Sequence, residues 1–479
     1  MSRVCVRRAY LIALPLIFTS ACSLQPEYVR PDPAVAATYP EEAGGSGMQL
    51  AAADIGWRDF FGDPQLQKFV ELALQNNRDL RVAALTVSEL QAQWRIESAA
   101  LLPQVSMFAE RSRSRTPRDL SRIERLETVG SYSVGASLGW EIDLFGRLRS
   151  LREAALQEYL ASQQARYAVQ MSLISQVAMG YLAVIACDEL LEVTERTLDS
   201  AVTSYELAKL QFDIGSGSEL DLRQAETLVE QARANRAAQV RARAQAQNAL
   251  VLLVGVPDLP EPRPGAQLSD PDILEDVPAG LPSALLTRRP DVLQAEALLR
   301  SANADIGAAR ALFFPSIDLT GTAGSASAHL DGLFKAGSAA WSVSPVAALP
   351  LFAGGANRAN LKAAEVREQI AVAQYQRTLQ GAFREVADGL AARATFLQQI
   401  ASLERFVEAQ GRRLELAQVL YRNGESSYLD VITAQFDLYD AQLVLVTTRL
   451  QRLTNLIDLY RALGGGWVER TGDEPEVAR

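Results

Sequence analysis

The clearest periodic segment of the chain is Ser131–Leu144, where apolar residues alternate strictly with small or polar ones. Seven apolar residues occupy every second position from Tyr132 to Leu144, and Ser, Gly, Glu or Asp lie between them. A period of two residues is that of a β-strand, and no helix produces it. Three further segments alternate less completely: Val105–Arg111, Ile317–Ala323 and Trp341–Leu349. We therefore expect four strands, with lengths that suit a tilted membrane-spanning strand.

Long helices are predicted by two proline-free blocks, Arg147–Val256 and Leu351–Glu474. Both are rich in Ala, Leu, Gln, Glu and Arg, which are strong helix formers. The first block breaks only at a Gly-Ser-Gly-Ser sequence, which leaves a long arm, Arg147–Ile214, and a short arm, Ser218–Val254. At 1.5 Å per residue the arms would be roughly 100 Å and 55 Å long. The second block breaks only near Asn-Gly-Glu-Ser, so each block predicts a helical hairpin with unequal arms.

The order of predicted elements, a helix, two strands and a helical hairpin, occurs twice. The helices before the strands are predicted at Leu66–Leu101 and Ala284–Phe313, each ended by a nearby proline. Short motifs recur in unchanged order, so that Asn77-Arg78-Asp79-Leu80 returns as Arg289-Pro290-Asp291-Val292, and Val254-Gly255 returns as Leu463-Gly464. Such self-similarity indicates two copies of one structural unit.

The duplication gives the expected division of the chain. A signal peptide and a Pro- and Gly-rich tether precede the first copy, a Pro-rich connector separates the copies, and a polar tail follows the second. The corresponding residues are 1–21 (signal), 22–53 (tether), 54–256 (first repeat), 257–283 (connector), 284–467 (second repeat) and 468–479 (tail).

The amino-terminal residues are typical of a secreted bacterial lipoprotein. A basic start, an apolar run and the small residues Thr19-Ser20-Ala21 precede Cys22. This pattern is that of a secretory signal with a cleavage site, and it resembles a lipobox, so diacylglycerol and a fatty acyl chain such as palmitate are expected on Cys22. The alternative is an ordinary signal peptide with an incidental cysteine. No other segment has about 20 uninterrupted apolar residues, so we expect strands rather than helices to cross a membrane.

Charge and composition exclude several functional classes. The formal net charge is −10, and removal of the three arginines in residues 1–21 would leave −13. An acidic chain without a basic cluster is not suited to nucleic acid. The only histidine is His329, so neither a hydrolytic triad nor a His/Cys metal site can be assembled. The sequence therefore predicts neither an enzyme nor a metal or cofactor site.

Four strands cannot form a membrane sheet alone, because the edge strands would leave backbone groups unpaired in lipid. Known closed barrels have at least eight strands, so several copies must complete one barrel with cyclic symmetry. Two, three or four copies would give about 8, 12 or 16 strands, and this argument does not choose among them. The alternative is a soluble pair of β-hairpins packed on the helices.

As a set, several motifs resemble the TolC-like outer membrane factor family, and within it the OprM/NodT-type efflux lipoproteins. The matching sequences are Trp57–Leu66, Trp140–Arg147, Arg289–Val292, Phe313–Ile317 and Ala462–Trp467. The resemblance implies a mixed α and β membrane fold. It would be a homotrimer with a 12-stranded outer membrane β-barrel, four strands per subunit, continued by a long α-helical periplasmic barrel. It also implies an outer membrane channel that exports drugs or other toxic small molecules, with a periplasmic adaptor and an inner-membrane RND-type pump as partners.

The hairpin turns are then expected at the periplasmic end, where the family has its gate. The turns that would contact the adaptor are Gly215, Ser216 and Gly217, and Asn423, Gly424 and Glu425. By match to the family, Leu429 would be the apolar constriction, Tyr421 and Arg422 would hold the tip closed, and Leu220 and Asp221 would be equivalents in the first copy. For Tyr421 and Arg422 the alternative is an ordinary solvated helix end. Thr433 stands where an aspartate is common, so Asp430 is the nearest acid for a ring of carboxylates. For Asp221 and Asp430, the alternative is a favourable charge in the first turn of a helix.

Two other functions fit parts of the sequence. A lipid-anchored periplasmic scaffold or adaptor would have similar helices but would not need four amphipathic strands. The exit duct of a type I protein secretion system would share the whole architecture, and the lipobox and the Arg-Pro-Asp-Val motif favour efflux over it.

Overall fold

The computed structural model describes residues 23–33, 35–36, 52–117, 127–263, 265–269, 272–275, 277 and 288–473. Two compact units can be distinguished. The first unit, called here the sheet unit, comprises residues up to Arg30, Leu90–Tyr159 and Leu298–Ala371. The second, called the helical unit, comprises Pro31–Glu89, Leu160–Ala297 and Val372–Arg479. The signal peptide, Cys22, most of the tether and part of the connector lie outside the described residues.

Eight helices and four strands account for most of the described residues. The helices are α1 (Trp57–Phe60), α2 (Pro64–Asn76), α3 (Arg78–Ala99), α4 (Arg147–Asp213), α5 (Glu219–Val254), α6 (Pro290–Ala311), α7 (Ala356–Arg422) and α8 (Tyr428–Ala462). The strands are β1 (Gln104–Thr116), β2 (Glu127–Glu141), β3 (Ser316–Ser327) and β4 (Ala339–Ala348). Short 3-10 helices lie at Ala52–Asp54 and Leu330–Gly332.

The four strands form one antiparallel sheet in the order β1-β2-β3-β4. Because neighbouring side chains of a strand point to opposite faces, the register assigns each residue to a face. One row across the sheet is Met107, Ala136, Ala323 and Trp341, and the adjacent row is Ser106, Ser137, Thr322 and Ser342. We call these two sides the apolar face and the hydroxyl face.

The two faces differ in chemistry around these two rows. On the hydroxyl face, Ser106 and Ser137 lie 2.7 Å apart, and Thr322 and Ser342 are also 2.7 Å apart, between hydroxyl oxygens. On the apolar face, Met107 is 86% exposed and Trp341 is 79% exposed. Apolar side chains this exposed on a regular sheet indicate a surface that contacts lipid. Within the described residues, β1 and β4 each have a strand partner on one side only.

The helical unit has an aromatic core next to the start of α1. The rings of Phe60 and Tyr460 stack with centroids 3.9 Å apart, and the Tyr460 hydroxyl donates a 2.6 Å hydrogen bond to the carbonyl of Ile55. Trp57 and Phe61 are buried beside them. This cluster explains why the Trp-Arg-Asp-Phe-Phe sequence is apolar at three of five positions.

Four predicted strands and the unequal hairpin arms are confirmed, with shifts at some ends. The predicted strand Ser131–Leu144 ends at Glu141, because the chain turns there into α4. The strand predicted at Val105–Arg111 continues to Thr116. Its second half alternates Arg with Ser, a pattern whose two faces are both polar, so hydrophobic periodicity does not detect it.

The single helix predicted at Leu66–Leu101 is wrong, because the structure has two helices interrupted at Asn77. The backbone of Asn77 is extended, with φ −62° and ψ 133°. Its side-chain oxygen accepts a 3.0 Å hydrogen bond from the amide of Leu80, and its side-chain nitrogen donates to the carbonyl of Leu253 at 2.9 Å. Tertiary contact with the end of α5 therefore stabilises the break. The counterpart predicted at Ala284–Phe313 is helical from Pro290 to Ala311, and residues 284–287 lie outside the described part.

Among the described helices, α4 contains one stretch that is long and apolar enough to cross a membrane by composition. More than half of that stretch is buried within the fold. Burial of this kind is what the core helix of a bundle requires, so composition alone is weak evidence for a membrane span here.

Candidate functional site

The two hairpin turns have the same backbone construction. In the first, Gly215 has φ +73° and its amide donates to the carbonyl of Phe212 at 2.9 Å. In the second, Gly424 has φ +74° and its amide donates to the carbonyl of Tyr421, also at 2.9 Å. Left-handed backbone after a helix favours glycine. The turns predicted at the Gly-Ser-Gly-Ser and Asn-Gly-Glu-Ser breaks are therefore confirmed.

The short arm of each hairpin begins with a serine cap. The Ser218 hydroxyl accepts a 3.1 Å hydrogen bond from the amide of Asp221. At the start of α8, the amide and the hydroxyl of Ser427 both donate to the Asp430 carboxylate, at 3.2 and 2.9 Å. The Ser426 hydroxyl donates to the same carboxylate oxygen at 2.6 Å. These hydroxyls and the amide of Ser427 lower the pKa of Asp430.

In this chain Asp430 thus stabilises the start of α8, as the first-turn interpretation predicts. Asp221 occupies the corresponding first-turn position of α5 and is half-buried. The Thr433 hydroxyl donates to the carbonyl of Leu429 at 2.8 Å, so this hydroxyl is engaged within its own helix.

A side-chain hydrogen bond joins the two hairpins near their turns. The Tyr421 hydroxyl, on α7, donates to the side-chain oxygen of Gln211, on α4, at 3.0 Å. The ring of Tyr421 also packs against Tyr428, with centroids 5.2 Å apart. Burial raises the pKa of Tyr428 to about 12 and also raises the pKa of Tyr421. Of these three residues, sequence analysis identified only Tyr421, because nothing local distinguishes Gln211 from the other glutamines of α4.

The helices beneath the turns pack through small residues. One buried cluster draws members from both hairpins and includes Ala201, Ala208, Ala225, Ala417 and Ala434. Alanine at these positions lets four helices approach closely. The relative position of the two turns is therefore set by a packed core rather than by the turns themselves.

Apolar side chains remain exposed around this core. Leu429 is 56% exposed and its first-copy equivalent Leu220 is 66% exposed. Arg422 is exposed, as are the turn residues Ser216, Asn423 and Glu425. Leucine side chains left in solvent at equivalent places in two repeats suggest a surface that is covered, or narrows a passage, only in an assembly.

The described residues contain no group of three or more His, Cys, Asp or Glu side chains arranged to hold a metal ion. His329 precedes the 3-10 helix Leu330–Gly332 and is exposed, within the connection between β3 and β4.

Comparison with known proteins identifies the family. The model of the outer membrane efflux protein family matches residues 69–256 and 281–465, one match in each repeat. The probable efflux pump outer membrane protein TtgC of Pseudomonas putida is 44% identical over 476 residues, covering 98% of this chain and 97% of the relative. The outer membrane protein OprJ of Pseudomonas aeruginosa is 43% identical over 463 residues, covering 96% of each chain.

A solved structure agrees with these relatives. The open state of the MtrE outer membrane channel of Neisseria gonorrhoeae superimposes with a TM-score of 0.84 and 38% identity, covering 94% of this chain and 100% of that chain. The agreement extends over both repeats and includes the sheet and the hairpins. This chain belongs to the outer membrane efflux protein family, and it is an outer membrane channel protein of an efflux system.

Proposed function

We propose that three copies of this chain close one 12-stranded barrel, which acts as a passive conduit for small molecules. The observation that carries the proposal is the four-stranded sheet with two free edges, one apolar face and one hydroxyl face. The strands alternate in direction, so β4 of one copy is antiparallel to β1 of the next when copies are arranged head to tail. Three such contacts form a ring and remove every edge. The family resemblance favours three copies over two or four.

The faces then acquire distinct roles. The exposed apolar face contacts lipid, while the hydroxyl face lines the lumen and offers hydrogen bonds to water. Rows such as Ser106, Ser137, Thr322 and Ser342 would repeat around the ring. We therefore expect the chain to carry out transport rather than a covalent step. Relatives named as outer membrane proteins of antibiotic and toluene efflux pumps support small molecules as the exported class. An adaptor and an RND-type inner-membrane pump are the partners that the family resemblance implies.

The direct test is reconstitution of the purified protein into planar bilayers together with gel mobility of unheated samples. We expect single-channel currents and a band of trimer mass that converts to monomer on heating. A monomer without current would overturn the proposal. Affinity capture from native membranes would identify the adaptor and pump, and capture of a secretion ATPase instead would favour protein export.

At the hairpin turns we propose a gate, in which exposed Leu429 and Leu220 narrow the passage and the Tyr421–Gln211 hydrogen bond holds two hairpins together. Arg422, Asp221 and Asp430 would set the local charge. The support is the pair of exposed leucines at equivalent positions and the side-chain hydrogen bond that links the hairpins next to their turns.

The gate predicts that Leu429→Ala combined with Tyr421→Phe raises open probability. Phenylalanine keeps the ring packed on Tyr428 and removes only the hydroxyl, so the difference between the double variant and Leu429→Ala alone reports the lost hydrogen bond. A bond of this kind contributes about 1 kcal/mol, enough for roughly a fivefold change in an equilibrium. Leu416→Ala, an exposed leucine on α7 six residues before the turn-facing Arg422, is the control. Equal open probability for wild type and the double variant would remove this assignment.

We also propose that Cys22 carries the lipid. The residues that follow it, Ser23–Arg30, belong to the sheet unit and lie along α6. The carbonyl of Leu24 accepts from the Arg310 guanidinium at 3.2 Å, and the carbonyl of Pro26 accepts from the Asn303 amide at 3.0 Å. Arg310 precedes β3 by six residues, so the segment approaches the sheet as it nears Cys22. An acyl chain attached there would enter the inner side of the membrane.

For Cys22→Ala we expect loss of the acyl mass and of palmitate labelling, with the barrel still embedded through its apolar face. Intact-mass measurement after detergent extraction checks this. As a control, Gly307→Val should displace the segment without removing the lipid, because a Cβ at position 307 would lie 2.9 Å from the Cα of Gln25. Unchanged mass for Cys22→Ala would show that the cysteine is not the attachment site.

A further inference from the structure

Strand β1 changes character along its apolar face. The first positions on that face are Val105, Met107 and Ala109, and the next three are Arg111, Arg113 and Arg115. The arginines occur at every second position, so all three project from the same side as the lipid-facing residues. Each of them is exposed.

These arginines lie at the end of the sheet away from the helices. Within the sheet unit, helices join the strands at Gln104, Glu141, Ser316 and Ala348, whereas the β1–β2 and β3–β4 connections are at the opposite end. With the helices on the periplasmic side, as in the proposed function, Arg111, Arg113 and Arg115 face the outer leaflet. The apolar band on β2 runs from Tyr132 to Trp140, roughly 25 Å of strand, close to the height of the band in outer membrane barrels.

Arg111 marks the boundary of that band. Its guanidinium lies over the ring of Tyr132, 5.4 Å from the centroid, and the two residues are directly opposite in the register. Tyrosine is enriched at the level of lipid headgroups. The stack therefore fixes one guanidinium at the depth where headgroups begin.

No carboxylate shares this part of the apolar face among the described residues. The strand carboxylates Glu110, Glu127, Glu141 and Asp318 all belong to the hydroxyl face by their register. No ion pair to a described carboxylate is present for the three arginines, although such pairs are common on the helices. Among the described side chains, the charge on this part of the apolar face is therefore of one sign.

We propose that Arg111, Arg113 and Arg115 bind phosphate groups of anionic lipid in the outer leaflet. The inference rests on the proposed function, since it needs the apolar face to contact lipid. Guanidinium groups match phosphate oxygens through paired hydrogen bonds. The spacing of about 7 Å between alternate residues of a strand presents them as a row. In a trimer three such rows would surround the barrel at one depth. A lysine in the same position would supply charge without the planar pair of donors.

The test compares wild type with the triple variant Arg111→Gln, Arg113→Gln, Arg115→Gln, both purified as trimers in detergent. The probes are lipopolysaccharide, phosphatidylglycerol vesicles, phosphatidylcholine vesicles and inorganic phosphate. We expect wild type to bind lipopolysaccharide on the order of 100-fold more tightly than the variant, since each arginine near a surface contributes a factor of about five. Replacement by three lysines should retain part of this binding.

A charge-matched control removes Arg233, Arg236 and Arg241 from the exposed side of α5, and its lipid binding should equal that of wild type. Equal binding by wild type and the triple glutamine variant would overturn the proposal. If wild type bound phosphatidylcholine vesicles as tightly as phosphatidylglycerol vesicles, the arginines would not recognise the negative charge of the lipid, and the proposal would be overturned. Full competition by millimolar inorganic phosphate would assign the row to free phosphate instead of lipid. Channel current and trimer mass of the glutamine variant should match wild type, which separates failure of this inference from failure of the channel assignment.

Discussion

Alanine in place of Gly135 is expected to prevent a stable barrel, although only one methyl group is added. Gly135 of β2 is directly opposite Gly324 of β3. A Cβ at position 135 would lie 2.5 Å from the carbonyl oxygen of Ala323 and 2.9 Å from the Cα of Gly324. Both neighbours are backbone atoms of a paired strand, so neither can rotate away. The glycine pair therefore permits a close approach of two backbones that no other residue allows.

The matched control for Gly135→Ala is Gly139→Ala, four residues along the same strand and on the same face. Nothing lies within 4 Å of a Cβ added at position 139. We expect Gly135→Ala to cost about 3 kcal/mol or more through forced separation of β2 and β3, and Gly139→Ala to change stability by less than about 0.5 kcal/mol.

Both glycine variants are compared by the yield of trimer and by the temperature at which the trimer dissociates on a gel. Gly324→Ala should reproduce the defect of Gly135→Ala from the other strand. If Gly135→Ala and Gly139→Ala dissociated at the same temperature, the close approach of the two strands would be refuted.

The second large effect is expected at Arg289, which is only 5% exposed. Its guanidinium donates to Asp291 at 2.6 and 3.0 Å, to Glu385 at 3.0 Å and to the carbonyl of Ala462 at 2.9 Å. Replacement by methionine would leave two partly buried carboxylates without their cation. Removal of one partner from a buried ion pair costs about 3–5 kcal/mol, and we expect the lower part of that range because Asp291 and Glu385 keep some solvent.

The first repeat provides the control for Arg289. Asn77 stands at the equivalent position and donates to the carbonyl of Leu253, which is the equivalent of Ala462. Because Asn77 is uncharged, Asn77→Ala should cost less, about 2 kcal/mol for its hydrogen bonds with Leu80 and Leu253. Thermal loss of the helical far-ultraviolet signal measures both variants. Equal effects would mean that the charge at Arg289 is irrelevant and that only the link to the helix end matters.

The pH dependence of stability gives an independent measurement of the interaction between Arg289 and Asp291. Burial alone would raise the pKa of Asp291, but hydrogen bonds and charge from Arg289 outweigh it and hold the pKa below its ordinary value. A carboxyl whose folded pKa is lowered stabilises the fold above its unfolded pKa, and the stabilisation is lost as pH falls through the folded pKa. The wild-type protein should therefore lose stability between weakly and strongly acidic pH, and Arg289→Met should lose less stability over the same range.

Sequence analysis was most successful where one local rule decides the structure. Strict alternation identified β2, and the absence of proline identified the hairpin arms. Glycine at 215 and 424 indicated the turns, because the ability to adopt a positive φ without strain is a property of glycine itself. The break at Asn77 was missed, because the helix-forming residues on both sides outnumber the two adjacent asparagines, Asn76 and Asn77. The outer half of β1 was missed because arginine and serine give no hydrophobic period.

At the turns the sequence could identify Tyr421 but not the partner it bonds. Gln211 is 210 residues away, and one glutamine on a long helix resembles another until the helices are packed. For the same reason the sequence left two interpretations of Asp430. The structure supplies the capping contacts to Ser426 and Ser427, while the role of Asp430 in a gate stays a prediction.

By itself the sequence determined the number of strands, the duplication and the positions of the turns, because these follow from periodicity and backbone preference within a few residues. Only the tertiary structure decided which glycine of β2 tolerates a side chain, and it alone joined Arg289 and Asn77 to equivalent helix ends. Both outcomes depend on distances between segments far apart in the chain. Such distances are set by packing, for which a single sequence carries no local signal.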